Sequence, residues 1–193
     1  MKSVCLIVYL SVAVLALLAA PVRAQEHATP QDAPALAEFD ARVKKYAALR
    51  NQLNKGAAKQ RETEHPEKIA AAREALAAKI RAGRAGAKPG DIFTLAFQER
   101  IRKLLAPEMA GAKGKNTRGS IWDEGPGPGA FKLEVNGSYP KDQPLGNMPP
   151  NVLKALPPLP EGLEYRFVYR HLLLRDEQAN LVIDFMPAAI PGK

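Results

Sequence analysis

Leu163-Glu164-Tyr165-Arg166-Phe167-Val168-Tyr169-Arg170-His171-Leu172-Leu173-Leu174-Arg175-Asp176, followed closely by Leu181-Val182-Ile183-Asp184-Phe185, is the stretch that decides the fold. Side chains alternate across a strand, so an apolar period of two marks a half-buried sheet. Tyr165, Phe167 and Tyr169 then share one face, and Glu164, Arg166 and Arg170 the other. Leu172 to Leu174 continue as a second strand, residues 176–180 turn, and Leu181, Ile183 and Phe185 make a third. The pattern predicts a three-stranded antiparallel meander with the aromatic face inward and Arg166, Arg170 and Asp184 outward. Upstream, Phe131, Leu133 and Val135 alternate with polar residues before the turn dipeptide Asn136-Gly137, which predicts a further strand. Residues 144–160 are proline-rich, with room for one helical turn at 151–156.

Helical periods precede the strands. Leu36, Phe39, Val43, Tyr46 and Leu53 form one stripe and predict a helix over residues 35–54. A second begins near Pro66, a favourable first-turn residue, with Ile69, Leu76 and Ile80 on its apolar side. Both stripes are thin and alanine-rich, so residues 35–88 read as a looser helical arm, marginal alone. A third helix follows Asp91 as its N-cap. Its face of Phe93, Phe97, Ile101, Leu104 and Leu105 is the strongest in the chain, and Pro107 closes it. Residues 110–129 are rich in Gly, Lys and Pro and read as a flexible connector that carries Trp122, the single tryptophan. The fold class expected is α+β: a helical N-terminal arm, then a small antiparallel β-meander packed on one helix. The α+β domain spans residues 89–193.

The N-terminus carries an address. Lys2, an apolar run from Val4 to Ala20 and small residues before Gln25 in Val22-Arg23-Ala24 read as a signal peptide over residues 1–24. A polar lead-in at residues 25–34 follows. The expected location is therefore exported, periplasmic or extracellular, with no transmembrane segment once the leader is cut. Cleavage removes Cys5, the single cysteine, and leaves 169 residues whose fold depends on apolar burial. It also removes one lysine and one arginine, which lowers the net charge from +8 to +6. An excess of that sign favours anionic partners, or serves solubility alone. Without interleaved aromatic and basic residues, nucleic acid is not an expected partner.

Few residues suggest chemistry. Beyond the leader the serines are Ser120 and Ser138, and neither sits in a nucleophile elbow. His27, His65 and His171 are scattered, and Glu62, Glu64, His65 and Glu67 read as a solvated helix cap, so no metal or other cofactor is expected. The Gly-Pro-Gly-Pro-Gly run at 125–129 lacks the backbone N–H groups of a phosphate cradle. Asp176, Glu177 and Asp184 read as solvated strand ends. Arg166, Arg170 and Arg175, on neighbouring strands, are the better lead. Such a cluster holds a carboxylate or phosphate bidentately, or it is an exposed sheet face paired with Glu164 and Asp184. The candidate binding residues are these three arginines with His171 and Trp122.

The quoted stretch resembles the C-terminus of a group of uncharacterised bacterial exported proteins. Lys88-Pro89-Gly90-Asp91-Ile92-Phe93-Thr94, Val135-Asn136-Gly137 and Tyr139-Pro140 look like further pieces of that group. The resemblance covers a little more than the C-terminal half and implies no activity. The group's pattern has glycine where Tyr169 stands, which argues against a left-handed turn there. More distantly, Tyr-Arg-Phe-Val with a hairpin ending in Leu-Val-Ile-Asp is similar to the small β unit of periplasmic nickel/cobalt homeostasis proteins, without matching ligand residues. The expected function is a non-enzymatic exported protein that binds a protein or an anionic envelope component. The alternatives are an enzyme with a dispersed site around Arg166, His171 and Asp176, and a metal-responsive periplasmic accessory protein.

Overall fold

A computed structural model of the chain describes residues 33–55 and 66–192. The leader, most of the lead-in, and Glu62, Glu64 and His65 lie outside the described residues. The fold is α+β, with helices first and an antiparallel meander last. Among the described residues no helix is long and apolar enough to cross a membrane.

Helix α1 (Ala33–Leu53) buries the stripe Phe39, Val43 and Tyr46. Helix α2 (Pro66–Gly83) buries Leu76, Ala77 and Ile80, while Ile69 at its start stays 42% exposed. Helix α3 (Leu95–Leu105) starts later than Asp91 suggests. Thr94 is its cap, and its Oγ1 accepts from the Phe97 N–H at 3.4 Å. Asp91 instead closes the preceding turn by accepting from the Lys88 N–H at 2.8 Å.

A 3₁₀ turn at Pro107–Met109 leads into helix α4 (Gly111–Glu124), where a flexible connector was expected. The composition is poor for a helix, and tertiary packing decides the matter. Ile121 is buried in the main core, and Gly114 lies so close to Met109 that an added Cβ would stand 2.1 Å from its carbonyl carbon. Only glycine allows that approach. The turn at 151–156 is the short helix α5 (Pro150–Ala155).

Strands β1 (Leu163–Val168), β2 (His171–Asp176) and β3 (Leu181–Met186) pair in that order. β1 and β2 meet at Val168↔His171 through the two-residue turn Tyr169-Arg170. Tyr169 has φ +53°, so the turn is left-handed although its residue is a tyrosine. Its ring lies 6.1 Å from that of Trp122, centroid to centroid. The strict alternation expected along β3 breaks at a bulge. Leu174 pairs with Asp184 and Arg175 with Val182, which leaves Ile183 as the extra residue. One inserted residue reverses the faces of the residues beyond it. Asp184 therefore turns inward, and Phe185 joins the opposite face.

The main core lies between the sheet and the helices. Phe97 stacks at 4.0 Å on Phe39 and 5.3 Å from Phe93, and Phe93 lies 6.5 Å from Tyr165. Helix α1 thus shares its core with α3 and the sheet, where a looser arm was expected. Burying each such ring contributes about 1.5–3 kcal/mol, which offsets a thin stripe.

The other face of the sheet is also covered. Tyr139, Val168, Leu173 and Val182 form a second cluster with Phe131, Leu133 and Phe185. Residues 131–136 are not the expected strand. A turn closed by the Gly137 N–H on Glu134 O, with Asn136 at φ +63°, bends the chain and leaves Phe131 and Leu133 as a cover. One bridge, Ser138↔Leu181, and hydrogen bonds between 136–139 and 180–182 protect the outer edge of β3.

Candidate functional site

The register places Glu164 opposite Arg175 and two positions from Arg166, all on the second face of the sheet. Both guanidinium groups grip the Glu164 carboxylate, Arg166 through Nη2 and Arg175 through Nη1. Arg166 also donates to Gly146 O at 3.0 Å, and Arg175 donates to Asn180 Oδ1 at 2.6 Å while lying over the Tyr139 ring. Burial pushes the Glu164 carboxyl up, but the two arginines outweigh it and hold the group below its ordinary value. This is a staple between strands, and it engages two of the three candidate arginines.

Asp176 and Asp184 are not solvated strand ends, because both are fully buried. Asp184 accepts from three N–H groups of the loop before α3: Gly90 at 2.9 Å, Ile92 at 2.7 Å and Phe93 at 2.8 Å. The bulge aims it at them. Asp176 accepts from Tyr46 Oη at 2.7 Å and from the N–H groups of Gln178 and Ala179 at 2.9 Å, with Arg50 Nη1 at 3.6 Å. Burial first, and then the Asp176 charge, push the Tyr46 phenol well above its ordinary value. Asp176 faces the helices, whereas Arg166 and His171 lie on the other side of the sheet. Those three residues do not assemble into one site. Among the described residues no three His, Asp or Glu side chains gather as a metal ion would require.

Arg170 is placed differently. It sits at the tip of the β1–β2 hairpin, where its carbonyl accepts from Ala189 and Ile190 and so ties down the tail after β3. Among the described residues no carboxylate or carbonyl oxygen takes its guanidinium. Arg170 is one of the residues that line a half-open groove of about 430 Å³ between α3, the 3₁₀ turn and residues 188–191. Leu105, Met109 and Ile190 form its floor but are buried in the main core, and Arg102 is a second cation in its lining, which includes no acidic residue. Arg102 Nη2 donates to Pro187 O at 3.2 Å and to Gln98 Oε1 at 3.3 Å. His171 stands beside the groove, and its Nδ1 accepts from the Ala188 N–H at 3.3 Å. Burial, and then the Arg170 charge, hold His171 below its ordinary value. Trp122 packs against the main core near Tyr169, with Arg118 over its ring at 5.9 Å.

Arg170, His171 and Trp122 are therefore brought to one end of the sheet, and Arg166 and Arg175 are tied up elsewhere. Arg102, Met109 and Ile190 escape sequence reading because the tail's fold-back creates the groove. Pro187 and Pro191, which end the strand pattern, are the one signal that the tail turns there. Comparison with protein-family models, curated proteins and solved structures gives no match.

Proposed function

We propose that this chain is an exported, non-enzymatic protein that binds an anionic component of the cell envelope, and that Arg170 meets that component. One observation carries the reading. Arg166 and Arg175 both bond the Glu164 carboxylate, while Arg170 has no ion-pair partner among the described residues and lies at the edge of a groove. The leader-like residues 1–24 support export, and the net charge of +6 without them supports an anionic partner. The enzyme alternative loses support because Arg166, His171 and Asp176 are divided between two faces of the sheet.

Vesicle binding tests the reading. The exported form, identified by an intact mass that begins at Gln25, is mixed with phosphatidylglycerol-containing or purely zwitterionic vesicles. Adsorption to the anionic vesicles alone is expected, and it weakens as salt shortens the screening length from about 10 Å at 0.1 M. Equal adsorption to both vesicle types contradicts it.

A further inference from the structure

We infer that helix α4 is a strap that melts off the core while the rest of the fold stays closed, and so uncovers an apolar face beside Arg170. The helix has little to hold it by itself. Ala110 stands at its N-cap and makes no side-chain hydrogen bond. Lys113 lies in its first turn and Asp123 and Glu124 in its last, each opposite in sign to the charge that the helix dipole favours there. Thr117 Oγ1 donates back to Lys113 O at 3.2 Å, a bond that slightly weakens a helix. Fourteen residues that include Gly114 and Gly119 are marginal as an isolated helix.

Its ties to the rest of the molecule are few. Its chief neighbour is the 3₁₀ turn directly before it in the chain. The distant ties are Ile121 in the main core, the Trp122 ring 6.1 Å from Tyr169, and two polar contacts. Asn151 Nδ2 donates to Thr117 Oγ1 at 3.4 Å, and the Asn147 N–H to the Glu124 carboxylate at 3.3 Å. Melting α4 therefore leaves the Phe39–Phe93–Phe97 stack and the bonds of Asp176 and Asp184 in place. Both ends of the strap stay anchored. The 3₁₀ turn holds one, and Pro126 O, which accepts from the Tyr169 N–H at 3.1 Å, holds the other. Gly111, at φ +62° and with nothing within 4 Å of an added Cβ, is a free joint beside the first anchor. A melted segment reaches about 3.3 Å per residue against about 1.5 Å in the helix, so melting itself supplies the slack. What appears is the Tyr169 ring and the core surface that Ile121 covers, next to Arg170 in the chain.

The test follows amide hydrogen exchange in the full exported form. Residues 117–124 should be protected at least about tenfold less than Ile101 and Leu105 in α3. Urea below the unfolding transition should speed exchange in α3 and leave residues 117–124 nearly unchanged, because a local opening exposes little surface. Tyr46→Phe, which weakens only the anchor of α1, should likewise speed α3 and not α4. At Gly119 an added Cβ meets nothing within 4 Å, so Gly119→Ala should slow exchange across α4 about fivefold. Asp123→Lys should slow it about two- to fivefold by suiting the dipole. A second readout is thiol labelling of Thr117→Cys, 8% exposed in a chain whose single cysteine lies in the leader. Its rate should fall by the same factor when Gly119→Ala is added. If residues 117–124 are as protected as Leu105, or if Tyr46→Phe and urea speed them as much as α3, the helix opens only with the whole fold and the inference fails.

Discussion

Tyr46 on α1 donates a 2.7 Å hydrogen bond to the fully buried carboxylate of Asp176 on β2. With Arg50 at 3.6 Å from the same carboxylate, the contact joins the N-terminal helix to the central strand. A hydrogen bond to a charged group contributes about 1.5–3 kcal/mol. Tyr46→Phe keeps the ring and removes only the donor. Chemical denaturation should show a loss in that range, and a change below about 0.5 kcal/mol would show that Asp176 needs no donor from α1.

Asp184 makes the second long-range connection, to the loop that opens α3. Asp184→Ala leaves the buried Ile92 and Phe93 N–H groups without an acceptor. Each orphaned donor costs about 1–3 kcal/mol, so a loss of about 3 kcal/mol or more is expected. Asp184→Asn keeps one acceptor oxygen and should cost less. Urea melts of the two variants check both the size and the order.

Helix α1 belongs to the shared core, so it should not open by itself. Amides of Val43 and Tyr46 should exchange hydrogen as slowly as that of Leu173 in the central strand. Early exchange confined to residues 33–53 would restore the looser arm.

Acid should weaken the fold in two stages. His171 and Glu164 both titrate below their ordinary values of 6.5 and 4.5 in the folded protein. A depressed pKa supplies stability that is complete above the unfolded value and is lost as pH falls through the folded one. The loss therefore begins below about pH 6.5 for His171 and below about 4.5 for Glu164. Glu177, raised by burial and by Glu164, acts in the opposite sense, and its gain is complete by about pH 4.5, before the second stage begins. Denaturation across pH should show both stages, with Glu164→Gln removing the lower one. Arg170→Ala should raise the His171 midpoint in an NMR titration, because it removes a neighbouring positive charge.

Local pattern reaches some of this structure and not the rest. Stripes such as Phe39-Val43-Tyr46 and Phe97-Ile101-Leu105 announce their helices, and the aromatic alternation of residues 165–167 announces the meander. The bulge at Ile183 is invisible to a period of two, so Asp184 reads as outward. Helix α4 is hidden because its Gly, Asn, Thr and Ser residues are weak helix formers, held in place by Met109 and the core. The arginines look equivalent in sequence. Only the register shows that Glu164 lies between Arg166 and Arg175 and leaves Arg170 out.

That difference between arginines is the centre of the functional account, and a side-by-side measurement on Arg170→Ala and Arg166→Ala tests it most directly. Each variant is melted and titrated with anionic vesicles at one fixed salt concentration. Arg170→Ala should keep its stability within about 0.5 kcal/mol, as substitutions that break no buried contact do. Its vesicle affinity should fall about fivefold, the worth of one basic residue at an anionic surface. Arg166→Ala breaks the grip on Glu164, so it should lower the melting temperature and leave the affinity of the folded protein unchanged. If affinity is lost with Arg166→Ala and kept with Arg170→Ala, the assignment of the free charge is wrong.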